Sequence, residues 1–163
     1  MTKKTLETAL RDAISKVLET MFFSSLEFTE APVATEWRAW RRSRMYACRL
    51  EFSGPRRGSL TVHIPDLALT ALTAGFMGIE TRDVTEDHLA GTIRELANMI
   101  TGNLFAIHDP EAVYTLGIPA IIPAAEEPAL KDRVESLTYF ISTTEGPLAV
   151  IMTNYELGIT NQE

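Results

Sequence analysis

Apolar residues recur at three- and four-residue spacing in three stretches of the chain. The longest stripe runs through Leu89, Ile93, Leu96, Ile100, Leu104 and Ile107. It predicts a long central helix with one face turned to a core. Asp83 with Glu86 three residues later resembles a capping box at its start, and Thr85 is a rival cap. Asp109-Pro110 marks its end. An earlier stripe, Leu6, Leu10, Ile14, Val17, Leu18 and Met21, predicts a helix over residues 5–23. Asp12, Lys16 and Glu19 face away from that stripe, and Phe22 and Phe23 add apolar surface at the end. A third helix is predicted from Pro65-Asp66, with Asp66 a candidate cap, through Leu67, Leu69, Leu72 and Phe76. Gly75 and Gly78 suit its end.

Elsewhere the pattern shortens to a period of two. Pro32 marks a break, and residues 33–64 read as strands. Arg44–Phe52 partly alternates and Ser59–Ile64 alternates more cleanly, with a Gly/Pro turn over Ser53–Gly58. This predicts an antiparallel hairpin. Val113–Pro123 reads as extended, its prolines pointing to a sheet edge. Residues 124–132 read as a loop. Residues 133–143 and 148–157 form a last hairpin through Glu145-Gly146-Pro147, and residues 158–163 a loose polar tail.

A helix followed by a hairpin therefore occurs twice. Leu18-Glu19-Thr20-Met21 loosely echoes Leu96-Ala97-Asn98-Met99. On that alignment Val17 stands where the later helix has Glu95, and Thr20 where it has Asn98. A one-residue slide that matches Glu19 with Glu95 instead puts Phe22 at the asparagine position. Either way the first helix lacks the glutamate–asparagine pair.

The opposite face of the central helix changes the picture. At about 100° per residue, Gly91, Glu95, Asn98 and Gly102 share an arc roughly 60° wide. Each glycine costs about 1 kcal/mol against alanine in a helix. Two readings of this face stand: a solvated surface, or bare backbone beside two polar groups that lets another molecule come close. Asn103 falls inside the apolar stripe and reads as a buried structural amide bonded to nearby backbone.

Length and composition bound the rest. A chain of 163 residues, 45% hydrophobic and 23% charged, fits one globular domain spanning 1–163. No run approaches the roughly 18 apolar residues of a membrane span, so no membrane insertion is expected. The start of the chain has no secretory pattern, and the single cysteine, Cys48, fits a reducing cytoplasm. Cys48 lies in a strand-like run and reads as a buried, inert thiol. The net charge of −7 argues against nucleic-acid binding. Arg38, Arg41, Arg42, Arg44, Arg49, Arg56 and Arg57 cluster all the same, with Trp37 and Trp40 among them. They read as charged edge strands or as a docking strip for an acidic surface.

The usual catalytic constellations are missing. His63, His88 and His108 are dispersed, no Cys or His stands at metal-ligand spacing, and there is no phosphate loop or nucleophile elbow. A protein that activates its own nucleophile is not expected. One reaction asks little of a catalyst. Hydrolysis of an acyl phosphate on another protein arrives with its own leaving group and its own Mg²⁺, and lacks only a water held in line with phosphorus. A carboxamide can hold that water, and a carboxylate one turn away can pair with a lysine on the partner. Asn98 and Glu95 have the groups and the spacing.

From about Met45 to Pro123 the chain resembles the CheX branch of the CheC/CheX/FliY phosphatases of bacterial chemotaxis. The likeness is carried by Phe52-Ser53-Gly54 through Gly58, by Ile64-Pro65 into Phe76-Met77-Gly78, and by Gly117-Ile118-Pro119. Its most specific part is Glu95-Leu96-Ala97-Asn98-Met99-Ile100-Thr101-Gly102-Asn103. The resemblance implies an α+β fold, an antiparallel β-sheet with long α-helices packed on it and a CheC-like pseudo-repeat. It implies hydrolysis of the phosphoaspartate of a CheY-like receiver domain, with Asn98 placing the water, Glu95 contacting the receiver's lysine, and Mg²⁺ on the partner rather than a cofactor of the chain's own. It also implies one site per chain and a homodimer. Gly91 departs from the family pattern, which often has an acidic or hydroxyl residue there, and residues 33–44 have no counterpart we can place. The rival expectation is a non-catalytic module of the same fold that docks on a receiver or in a flagellar switch. A third is a dimeric structural subunit that uses the Arg38–Arg57 strip.

Overall fold

The structure, a computed structural model, describes residues 3–29, 44–123 and 135–155. Helix α1 spans Lys3–Met21 and is followed by the short strand β1, Leu26–Thr29. Strands β2 (Met45–Ser53) and β3 (Gly58–Pro65) form a hairpin that leads into α2 (Asp66–Met77). A 3-10 turn at Thr81–Asp83 precedes the long helix α3, Glu86–His108. Two short strands, β4 (Thr115–Leu116) and β5 (Ala120–Ile122), come next, and the hairpin of β6 (Glu135–Thr143) and β7 (Gly146–Asn154) completes the set.

The seven strands make one antiparallel sheet in the order β1-β6-β7-β3-β2-β4, with β5 also on the outer side of β2. β4 pairs with β2 at Phe52 and Ser53, and β5 pairs with it at Ala47 through Arg49. The sheet falls into two halves that meet where β7 pairs β3. In each half, the strand that follows a long helix sits beside the hairpin of the other half: β1 after α1 joins β6, and β4 after α3 joins β2. This is the helix-and-hairpin repeat in spatial form, and the α+β class is as the sequence led us to expect.

α1 and α3 pack on each other, and α3 on β2 and β3. The chain leaves α1 into β1, whose Leu26 pairs Thr143 beside the β6–β7 turn. α3 begins next to Arg44, just before the end of β2 that pairs Pro65. His63 pairs Ala149 and Ile141 pairs Leu148, so both points lie at one end of the sheet. α1 therefore finishes where α3 starts, and the two helices run antiparallel. Between them and the sheet lies one core: Leu10, Ile14 and Leu18 of α1, Ile93, Leu96 and Ile100 of α3, and Leu50, Leu60, Val62 and Val150 of the strands.

Several local expectations are corrected. Leu26–Thr29 is a strand that the sequence pattern did not single out. Four residues with alternating half-buried and exposed positions are too short to show a period. Asp83 lies within the 3-10 turn, so Thr85, with extended backbone, caps α3. Asp66 is not a cap. Pro65 holds the extended N-cap backbone, while Asp66 is the first helical residue and accepts from the Thr70 hydroxyl at 3.3 Å. Leu67 and Ile107 leave their predicted stripes and are exposed, because Leu67 lies in the first turn of its helix and Ile107 in the last turn of its own. Gly75 lies inside α2, and only Gly78 ends it, with φ 68°. The last hairpin turns at Thr144-Glu145 rather than at Glu145-Gly146-Pro147. The Thr143 hydroxyl accepts from the N–H groups of Glu145 and Gly146 and donates to the Gly146 carbonyl, so Gly146 opens β7 opposite Thr143 and Pro147 already lies in the strand opposite Ser142. Trp37, Trp40, Arg38, Arg41, Arg42, the loop over 124–132 and the tail at 158–163 lie outside the described residues.

Candidate functional site

α3 owes its length to a defined start and a continuous apolar face. The Thr85 side chain accepts from the backbone N–H of His88 at 3.2 Å, and His88 Nδ1 accepts from the N–H of Thr85 at 3.1 Å. This is a capping box with histidine in the place usually held by Glu or Gln. Glu86 and Asp87 stand in the first turn, where negative charge suits the helix dipole, and His108 in the last. Leu89, Ile93, Leu96, Ala97, Ile100 and Leu104 are buried against the sheet and α1.

That burial turns the opposite face outward. Gly91, Arg94, Glu95 and Gly102 are exposed and Asn98 is half-buried. Among the described residues, a Cβ built on Gly91 or on Gly102 would meet no atom within 4 Å beyond the backbone of its own helix. Among the described residues, neither glycine lets another part of the protein pack closely. Glu95 and Asn98, three residues apart, are neighbours on the helix surface. Together they offer a carboxylate that only accepts and a carboxamide that both donates and accepts. An arrangement of this kind can orient a water and hold a cation, and it has no nucleophile of its own.

Two side chains beside this face bond to the helix backbone. The Thr101 hydroxyl donates to the carbonyl of Ala97 at 2.7 Å, and the Asn103 amide N–H donates to the carbonyl of Met99 at 2.8 Å. Asn103 is half-buried rather than buried, yet it makes the backbone bond its position suggested. Sequence reasoning did not pick out Thr101 or Arg94. The available signal was a run of three poor helix formers, Thr101-Gly102-Asn103, in mid-helix.

The corresponding face of α1 is different. Val17 is 1% exposed and belongs to the core. Thr20 donates to the carbonyl of Lys16. On the alternative alignment Phe22 is buried and stacks on Phe76 at 4.7 Å. Neither alignment leaves room for a second polar pair on α1.

Other reactive groups are held quiet. Cys48 is buried in β2, and burial pushes its thiol up to about 11. Among the described residues no group of three or more His, Cys, Asp and Glu is placed to hold a metal ion. His63 is buried in β3, His88 serves the cap, and His108 is buried at the end of α3. Of the basic strip, Arg44 pairs with Glu86 at 2.8 Å and lies over the Tyr46 ring at 5.1 Å, tying β2 to the start of α3. Arg49 and Arg56 are half-buried and Arg57 is exposed. No helix among the described residues is long and apolar enough to cross a membrane.

Comparison with known proteins agrees with this architecture. A family model described as "Chemotaxis phosphatase CheX" matches residues 46–142. A search of curated protein sequences finds no match. Among solved structures, the chain is similar to the chemotaxis protein CheX from Vibrio vulnificus, at 14% identity and a TM-score of 0.72, covering 91% of this chain and 95% of that one. It is similar to CheX from Desulfovibrio desulfuricans, at 16% identity and a TM-score of 0.67, covering 91% of this chain and 98% of that one. It is also similar to a chain of the CheX–CheY–BeF3–Mg complex from Borrelia burgdorferi, at 17% identity and a TM-score of 0.69, covering 90% and 96%. At such identities the structures share the fold. The family model spans more than half of the sequence, and the chain belongs to the CheX family of chemotaxis phosphatases.

Proposed function

We propose that this chain hydrolyses the phosphoaspartate of a CheY-like receiver domain, with Asn98 and Glu95 as its catalytic residues. The observation that carries the reading is their placement, one helical turn apart on the outward face of α3 between two glycines that nothing among the described residues covers. Family membership supports the reaction class. The Borrelia burgdorferi complex of CheX with CheY, BeF3 and Mg supports the partner.

In this mechanism the α3 face docks over the receiver's phosphorylation site. The Asn98 carbonyl accepts a hydrogen bond from a water and aims its lone pair at phosphorus. The water oxygen forms a bond to phosphorus as the bond to the aspartate oxygen breaks. The aspartate leaves as a carboxylate and inorganic phosphate is released. Glu95 pairs with a lysine of the receiver and fixes the register. Mg²⁺, held by the receiver, neutralises charge on the phosphoryl group. Gly91 and Gly102 let the receiver's backbone approach. Positioning accounts for the acceleration, because the chemistry needs no base with a shifted pKa.

The proposal includes a single domain over 1–163, a cytoplasmic setting and association of two copies. The exposed apolar residues Val113 and Ile118, beside the outer strands β4 and β5, favour the last. Phosphate release from a phosphorylated CheY-like receiver with Mg²⁺ tests the reaction. Acceleration by the chain supports a phosphatase. Stable binding to the phosphorylated receiver with unchanged phosphate loss would make it a docking module instead.

A further inference from the structure

The turn of α3 that follows Asn98 is built from residues that weaken helices. Thr101, Gly102 and Asn103 together cost about 2 kcal/mol against three alanines. Gly102 is exposed, and among the described residues no atom outside its own helix would meet a Cβ there. Helix stability does not select this run, and core packing accounts only for Thr101, which is buried.

The hydrogen bonds show what the run does. Within an α-helix the carbonyls of Ala97 and Met99 already accept from the N–H groups four residues on. Each also accepts from a side chain: Ala97 from the Thr101 hydroxyl at 2.7 Å, Met99 from the Asn103 amide at 2.8 Å. These two carbonyls belong to the residues on either side of Asn98. Side-chain bonds of this pattern shift helix geometry locally. Thr101 is anchored in the core, so its bond ties the Asn98 turn to buried structure. Asn103 is half-buried, and its bond closes the same turn from the other flank. Gly102, between them, leaves the outer surface bare for a partner.

We infer that Thr101 and Asn103 are positioning residues for Asn98. They brace the Ala97–Asn98 peptide group that precedes it and the Met99–Ile100 peptide group one residue beyond it, so that the carboxamide keeps its aim although the turn carries a glycine where a partner must approach. The inference rests on the phosphatase reading above. Neither residue touches the reacting atoms. Each acts through the backbone that carries Asn98.

The test uses the full chain and a phosphorylated CheY-like receiver with Mg²⁺. Thr101→Val removes the donor with little change of shape, and Asn103→Leu does the same on the exposed side. In the double variant we expect kcat to fall about tenfold, because small misplacements of a positioned group have effects of this size. KM should stay within about twofold and helical circular dichroism should be unchanged, as expected for an effect confined to the transition state. Thr101→Ser, which keeps the hydroxyl, should restore most of the rate to the Thr101→Val background. Asn103→Leu alone, at a half-buried site, should lower kcat without loss of folding. Wild-type kcat in the double variant overturns the positioning role and leaves the phosphatase reading intact. A wild-type chain that hydrolyses no receiver overturns both. Loss of kcat that follows loss of helix content, with no rescue by serine, assigns the two residues to the fold and overturns the inference.

Discussion

Glu95 is exposed on α3, whereas Asn98, one turn further on, is half-buried. The difference matters for what each can do. A half-buried carboxamide has fewer rotamers to lose when it takes up a fixed water, whereas an exposed carboxylate can reach toward a partner. Glu95→Ala should therefore raise the concentration of phosphorylated receiver needed for half-maximal rate more than Asn98→Ala does. Titration of receiver against each variant measures this, and equal KM values for the two would contradict the division of roles.

The two bare glycines separate stability from activity. Among the described residues nothing beyond the helix's own backbone lies within 4 Å of a Cβ at Gly91 or Gly102, so alanine fits at both. Each replacement should stabilise the protein by about 1 kcal/mol from helix propensity alone. If the receiver docks on this face, Gly102→Ala should at the same time lower kcat/KM. Urea denaturation and phosphate release on the same samples read the two effects. A gain in stability with full activity would leave the glycines without a docking role.

Phe23 gives a second stability prediction. It ends α1 with φ 53°, and the N–H of Ser24 reaches back to the carbonyl of Leu18 at 2.9 Å. This is the left-handed helix end that glycine usually supplies. Phe23 is 82% exposed, so little packing offsets the backbone strain. Phe23→Gly should leave stability unchanged or raise it by up to about 1 kcal/mol. A clear loss in thermal unfolding would show that the ring makes contacts the folded chain needs.

His108 makes stability depend on pH. It is buried at the end of α3, and Nδ1 has no hydrogen-bond partner among the described residues. Burial, and then the Arg56 cation, lower its pKa below the ordinary histidine value, and Asp109 opposes the shift. The folded state therefore binds fewer protons than the unfolded state between the lowered value and about 6.5. Stability from neutral His108 is complete above about pH 6.5 and declines as the pH falls through that window. In His108→Leu this part of the pH dependence should vanish. Denaturant midpoints of both proteins between pH 7.5 and pH 5.5 would show it, and parallel curves would contradict it.

The helices and the outward face of α3 were legible in the sequence because their apolar stripes are long and regular. Ile93, Leu96 and Ile100 mark the buried side over several turns, which places Glu95 and Asn98 opposite them without any coordinates. The β2–β3 hairpin was legible from the Gly/Pro turn over Ser53–Gly58 between two apolar runs, although β3 is buried at every position rather than alternating. What was not legible depended on tertiary pairing. β1 exists because β6 lies beside it, since Leu26–Thr29 carries too short a pattern to declare itself. The identity of the α3 cap turned on backbone conformation at Asp83 and Thr85, which spacing does not specify. The Thr101 and Asn103 bonds join a side chain to a carbonyl four residues back, and composition shows only that poor helix formers stand there.

The central claim is that the Asn98 carboxamide places the attacking water. Its most direct test is single-turnover loss of phosphate from a phosphorylated CheY-like receiver, with Mg²⁺ and excess protein, for wild type and for Asn98→Ala. The account predicts rapid loss with wild type. With Asn98→Ala it predicts a rate reduced by about a hundredfold or more, at the level expected for a lost positioning group, while binding to the receiver is retained. Equal rates with both proteins would contradict it.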